Sequence, residues 1–241
     1  MQESLYVALS SQLALEKRLD TIADNVANAG TVGFRATDVK FEDVVTGMGQ
    51  DEVAYASAGA TYLSNRTGSL RETGNQFDFA IQGDAWFGIE TPAGTVMTRD
   101  GRFTMQDTGQ LVTLNGYSVI DAGGAPIQLD PRAGTPEVSR DGVIRQNGNL
   151  VASIGLFNFN PGQNFVRYEN SGIIPQGDPD PVVDRMDAGV AQGFVEESNV
   201  NPVLEMTRLI MIQRAFEAAA AMVSQTETTF DGAVKALGSG Q

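Results

Sequence analysis

Apolar residues recur every three or four positions at both ends of this chain and every second position in between, and this change of period limits what it can fold into. Met1, Leu5, Ala8, Gln12, Leu15, Leu19, Ile22 and Val26 step by four and three, the seam of a helix that packs on another helix. The spacing predicts a helix from residue 2 to about 29, with Gly30 just past its end in the left-handed conformation that glycine takes cheaply. Nothing nearby can cover that seam. At the other end Asn201 and Pro202 supply an N-cap and a first helical residue. Met206, Leu209, Gln213, Phe216, Ala220, Val223, Glu227, Phe230, Val234 and Leu237 repeat the stepping until Gly238-Ser239-Gly240 stops it. Gln12, Gln213 and Glu227 interrupt the two seams, and polar seam residues set register or partner number at some cost in stability.

In the middle the period falls to two. Phe77, Phe79 and Ile81 alternate with Asp78, Ala80 and Gln82, and short apolar strands lie between turn signals at Asp100-Gly101, Asp107-Thr108-Gly109, Asn115-Gly116, Gly123-Gly124, Asp141-Gly142 and Asn147-Gly148. "TRDGRFTMQDTGQLV" (98–112) and "SRDGVIRQNGNLV" (139–151) echo each other and predict two similar hairpins. "QGDPDPVVD" (176–184) reads as an extended exit from this region. The expected fold class is α+β: long N- and C-terminal helices pairing as a coiled-coil-like stalk, with a central antiparallel β domain of short hairpins. The expected parts are an N-terminal assembly helix and turn (1–35), an extended connecting segment (36–65), a central β domain (66–185) and a C-terminal segment and assembly helix (186–241).

Composition excludes more chemistry than it suggests. The 241 residues contain no Cys and no His, which removes thiolate nucleophiles, disulfides, imidazole bases and the usual zinc sites. The net charge of −14 gives no basic face for nucleic acid or an anionic membrane. No apolar run approaches the roughly 20 residues that span a bilayer, so no membrane insertion is expected. Glu3, Glu16 and Lys17 break up the start where a cleaved signal peptide would be continuous and apolar. None of Lys17, Lys40 and Lys235 follows a glycine, so there is no phosphate-binding loop, and no nucleophile elbow occurs.

Asp78, Asp84 and Glu90 beside Trp86 could form a glycosidase-like carboxylate pair, but acidic residues near hairpin turns usually bond their own backbone. Trp86 and Phe87 read as core. "DPDPVVD" lacks the glycine and final glutamate of a calcium loop. No enzyme, cofactor or metal is expected. Arg208 and Arg214, three residues from Glu205 and Glu217, read as exposed helix pairs. Leu204, Val203, Met211, Ile212 and Phe216 spread around more than one face of the last helix, more apolar surface than one partner helix covers, which predicts packing on other chains.

"IADNVANAGTVGFR" (22–35) resembles the N-terminal signature of the flagellar axial proteins, the rod and hook family, at Asn25, Asn28, Thr31, Gly33, Phe34 and Arg35. Asp24 stands where the family commonly has a first Asn, and Gly30 where it usually has a polar residue. "EESNVNPVLEMTRLIMIQRAFE" (196–217) is similar to the matching C-terminal signature, with Glu197, Ser198, Asn199, Val200, Glu205, Ile210, Gln213, Arg214, Ala215, Phe216 and Glu217 in place. "FDFAIQGDAWFGI", "TRDGRF", "GQLVTLNGY" and "GAPIQL" are similar to strand motifs of the shared β domain.

The shortness of the chain and its single β domain resemble the proximal-rod member more than the distal rod protein. The resemblance implies a structural rod subunit, exported without a cleaved signal through the flagellar type III apparatus and partnered by other rod proteins. The residues it places at subunit assembly are Asn25, Asn28, Thr31, Gly33, Phe34, Arg35, Ser198, Asn199, Val200, Glu205, Ile210, Gln213, Arg214 and Phe216 of the signatures, together with Leu5, Leu15, Leu19, Ile22, Val26, Met206, Leu209, Val223 and Phe230. On this reading the Asn25–Arg35 turn offers amides to helix-end carbonyls, and a β-branched residue at Gly33 harms assembly more than the β domain. The terminal helices order on meeting neighbours. A secreted glycan-binding or glycan-cleaving protein, and a monomer with a helical hairpin, remain as alternatives.

Overall fold

The computed structural model describes residues 2–41, 43–46, 53–57, 59–182 and 188–238. Two helices, α1 (Gln2–Ala27) and α2 (Pro202–Gly238), enclose a long series of short strands, so the chain is α+β with a central antiparallel β domain. Its residues group into two compact units. One comprises Met1–Ala27, Thr37–Tyr62 and Asn201–Gln241, the other Asn28–Ala36 and Leu63–Val200.

In the first unit α1 lies against α2. The start of α2 follows the expected chemistry: Asn201 Oδ1 accepts the Leu204 N–H at 3.1 Å, with Pro202 as the first helical residue. On α1 the expected seam is the covered one, with Ala8, Gln12, Leu15, Leu19 and Val26 half-buried and Ile22 buried. On α2 the covered stripe is Glu205, Leu209, Ile212, Phe216, Ala220 and Val223, while Met206 and Gln213 are exposed. The polar residue within the α2 stripe is therefore Glu205. Gln213 stood one position from the true stripe because 3.6 residues per turn let two neighbouring stripes share most of their members.

The four strands described between residues 37 and 63 are paired rather than simply extended. Thr37–Lys40 pairs with Ala60–Leu63, and Asp43–Thr46 runs antiparallel to Val53–Ala56. Both Thr37–Lys40 and Val53–Ala56 touch α1. Lys17 Nζ donates to the Gly59 carbonyl at 2.6 Å. Met1, the tail from Ser239 and residues 183–184 of the acidic exit lie outside the described residues, as do the side chains of Leu5, Glu227, Phe230, Val234 and Leu237.

The second unit is built on Trp86–Thr91, a strand that pairs antiparallel with Gly94–Thr98, Ser118–Val119 and Leu156–Asn158. Alternation sends Phe87 and Ile89 to one face, into a core with Phe79, Phe103, Leu111, Ile127 and Ile144, and Trp86 to the other, with Met97, Ile120, Phe157 and Ile173. Gly88 has no room for a side chain. A Cβ there would lie 2.6 Å from the Phe157 ring and 2.7 Å from Ile120. The two echoed stretches do form hairpins, Phe103–Met105 with Leu111–Thr113 and Val143–Gln146 with Asn149–Ser153. In the second, Asn147 and Gly148 both take positive φ (51° and 80°), the backbone of a tight two-residue turn. Of the acidic exit, Asp180–Pro181 adds a short strand to Leu156–Asn158.

Candidate functional site

The two sequence signatures meet inside the second unit. α1 stops at Ala27, and the turn that follows is closed by bonds from the Thr31 N–H to the Asn28 carbonyl (3.1 Å) and from the Thr31 hydroxyl to Asn28 Oδ1 (3.1 Å). Gly30 has negative φ and open space around it, so it is not the left-handed residue expected there. That residue is Gly33 (φ 71°), whose N–H donates to the Glu196 carbonyl at 2.7 Å. A Cβ on Gly33 would sit 2.2 Å from the Asp100 backbone nitrogen. The N-terminal motif is thus pressed onto the Arg99–Asp100 backbone, and only glycine fits. Phe34 follows, fully buried with Ala36 and Val200. The Arg167 guanidinium covers its ring at 4.3 Å and donates to the Arg35 carbonyl at 2.5 Å.

Glu196 holds this arrangement by charge. Its buried carboxylate accepts from Arg99 Nη1 at 3.0 Å and from the Gly68 N–H at 3.0 Å, and Arg35 Nη2 lies 3.1 Å from Oε1. Both guanidiniums also lie over Trp86, at 5.7 Å for Arg35 and 5.3 Å for Arg99. Burial pulls the Arg99 guanidinium down to about 10; Glu196 opposes the fall and Arg35 adds to it. Two guanidiniums thus share one buried carboxylate.

Asn199 completes the stitching. Its Oδ1 accepts the Ala36 N–H at 2.7 Å, its Nδ2 donates to the Arg66 carbonyl at 2.6 Å, and its own N–H donates to the Phe34 carbonyl at 3.3 Å. The Ser64 N–H donates to the Ala36 carbonyl at 2.8 Å. Segments 28–36, 63–68 and 196–200 are therefore bonded to one another, forming a neck. Ser198 takes part locally, accepting the Val200 N–H at 3.3 Å.

In the first unit, Asn25 acts as a strand partner in miniature. Its Oδ1 accepts the Thr37 N–H and its Nδ2 donates to the Thr37 carbonyl, both at 2.9 Å. Asn25 therefore bonds a strand rather than a helix-end carbonyl, and Asn28 Oδ1 takes the Thr31 hydroxyl. The Glu205–Arg208 pair, expected on the surface, is 2.6 Å long with the Glu205 side chain buried at 8% exposure.

The predicted assembly residues thus separate into classes. Asn25, Gly33, Phe34, Arg35, Val200 and Glu205 are buried in this chain and shape it, whereas Met206, Ile210, Gln213 and Arg214 are exposed. Leu15, Leu19, Val26, Leu209, Phe216 and Val223 lie half-buried on the covered sides of the helices, and Asn28, Thr31, Ser198 and Asn199 are half-buried in the neck. Sequence reading missed Arg99, Arg167 and Glu196. Arg99 lay in plain view within "TRDGRF", but one charge among many carries no mark of burial. Asp84, once a candidate acid, lies 3.8 Å from Arg99 Nη2, and Asp78 accepts from Asn75 Nδ2 at 3.0 Å.

Terminal helices carrying paired signatures, with the inner ends of both signatures buried together beside an antiparallel β sheet, define a flagellar axial protein. Three family models match in the corresponding places: flagella basal body rod protein over residues 5–35, the flagellar hook protein FlgE/F/G D1 domain over 80–146, and the flagellar basal body rod FlgEFG protein C-terminal region over 191–235. The chain is 70% identical over 239 residues to the flagellar basal-body rod protein FlgF of Mesorhizobium japonicum, covering 99% of both chains. It is 56% identical to FlgF of Rhizobium meliloti, also over 99% of both, and 29% identical to the rod protein FlgG of Bacillus subtilis over 94% of this chain and 96% of that one. This chain belongs to the flagellar basal-body rod protein family and within it is most like FlgF.

Proposed function

We propose that this protein is a structural subunit of the bacterial flagellar basal-body rod, built into the shaft that carries motor torque across the periplasm. Its terminal helices pair as a coiled-coil-like stalk and pack against those of neighbouring rod subunits. It reaches the rod through the flagellar type III export apparatus without losing a signal peptide. One observation carries the assembly reading: outside the side of α2 that is covered, Val203, Leu204, Met206, Ile210, Met211 and Met222 are exposed, as are Leu9 and Leu13 on α1. Apolar surface of that extent on two adjacent helices calls for protein partners.

The family membership supplies the partner class, other rod and hook subunits. Deleting the coding sequence and restoring it on a plasmid tests the reading. The deletion strain is expected to be non-motile with incomplete rods, and restored motility should coincide with the protein in purified basal bodies. A motile deletion strain with complete rods would refute it.

A further inference from the structure

We infer that a cavity beside Glu205 binds a neutral, largely apolar molecule carrying one hydrogen-bond donor, the make-up of a phenol or an indole. The cavity has a volume of about 470 Å³ and lies wholly in the first unit, between α1, the strand Thr37–Lys40 and α2. That size suits a small organic molecule. Leu15, Ile22, Val39 and Ile212 give it an apolar lining.

One atom in the lining calls for a donor. Glu205 is 6% exposed; its Oε1 accepts from Arg208 Nη1 at 2.6 Å, whereas Oε2 has no hydrogen-bond partner among the described residues. A buried acceptor without a donor is costly, and native chains rarely leave one so. Glu196 shows the contrast, since the Gly68 N–H meets one of its oxygens and Arg99 the other. Around Glu205 the polar neighbours are engaged: the Thr21 hydroxyl donates to the Lys17 carbonyl at 2.8 Å, and Asn25 uses both amide atoms on Thr37. Arg18 also lines the cavity but is exposed. The missing donor therefore comes from outside the chain.

Charge decides what kind of donor fits. Arg18 and Arg208 line the cavity together with Asp38 and Glu205, two groups of each sign. A further cation would unbalance the four and lose its hydration beside two guanidiniums, whereas a neutral O–H or N–H meets Oε2 at little desolvation cost. A molecule without a donor would leave Oε2 unmet. Met211 lines the exposed edge, and its thioether adapts to aromatic rings and attracts them. Within the class this favours phenols and indoles.

Methyl-detected NMR titration of the purified full chain tests the site. Indole and phenol are expected to give saturable shifts at the methyl groups of Leu15, Ile22, Val39 and Ile212. 1-Methylindole, which lacks the N–H, should bind roughly 10- to 100-fold more weakly than indole. Glu205→Gln should bring the two to equal affinity, because an amide that keeps its oxygen on Arg208 turns its own N–H groups into the cavity. Ala215 lines the cavity from an exposed helix position, so Ala215→Trp should abolish binding while the circular dichroism stays that of the parent chain. Shifts that do not saturate, equal affinity of indole and 1-methylindole for the parent chain, or saturable shifts confined to other methyl groups overturn the inference. A photoreactive phenol that labels the cavity of the purified chain is then applied to basal bodies. Both results keep the site and separate its two sources: labelling there assigns it to a free small molecule, and protection assigns it to a tyrosine or tryptophan side chain of a neighbouring subunit. This last step alone rests on the rod reading, and absence of the chain from basal bodies counts against that reading while leaving the titration result intact.

Discussion

Two glycines three residues apart in the N-terminal motif have opposite standing. Gly33 has φ 71° and would drive a Cβ to within 2.2 Å of the Asp100 backbone nitrogen. A side chain in that backbone region alone costs about 1–3 kcal/mol, and the neighbouring atom is backbone that cannot swing aside. Gly30 has nothing within 4 Å. Gly33→Ala should therefore lower the urea midpoint of the purified chain by the equivalent of roughly 3 kcal/mol or more, while Gly30→Ala should stay within about 0.5 kcal/mol. Equal midpoints for the two variants would refute the assignment. The Gly33 N–H bonds the Glu196 carbonyl, so the loss is expected in the folding of the chain itself. That contact joins residues far apart in sequence, and a glycine's spacing says nothing of what presses on it. Glu196 makes the same point through charge. Glu196→Gln would leave Arg35 and Arg99, buried at 3% and 0% exposure, without the one buried carboxylate they share, a loss of about 3–5 kcal/mol in the same denaturation experiment; a stability unchanged from the parent chain would contradict the assigned role of Glu196.

At the scale of elements, legibility followed the range of the interactions. Both helices, the Asn201-Pro202 start of α2 and the Asn147-Gly148 hairpin rest on residues close in sequence, and all four are where local chemistry put them. The α1 seam was legible because its period holds over the whole helix. The α2 seam was legible only in part, since apolar residues occur almost all round its first half and periodicity cannot choose between two stripes. Ile212 and Ile210 are equally apolar, yet one is buried at 8% exposure and the other lies 52% exposed. The pairing within residues 37–62 was missed for a different reason. Asn25 bonds both backbone groups of Thr37, and a side-chain amide standing in for a strand leaves no periodic trace. The N-terminal motif thus supplies a helix end, a strand partner and a neck within eleven residues.

On the scale of the whole molecule, the division into two units separates what should resist protease from what should yield. The neck belongs to the unit of Asn28–Ala36 and Leu63–Val200, so the scissile bond after Arg35 lies among buried, bonded residues. Arg18, Arg208 and Arg214 lie exposed on helices, and an amphipathic helix whose outward seam has no partner opens more readily than a packed sheet. Cleavage of a native chain follows the population of its open form when closing is fast. If opening the neck costs about 3 kcal/mol more than fraying a helix, trypsin should cut after Arg35 roughly 100-fold more slowly than after Arg18, Arg208 or Arg214. Mass spectrometry of a digestion time course on the purified full chain reads this ratio. Early products ending at Arg18 and Arg208, around a surviving β domain that retains residues 28–36, are expected. Cleavage after Arg35 at the same rate as after Arg18 would mean that the neck opens with the helices, so that Glu196 and Asn199 do not hold the N-terminal motif before assembly begins.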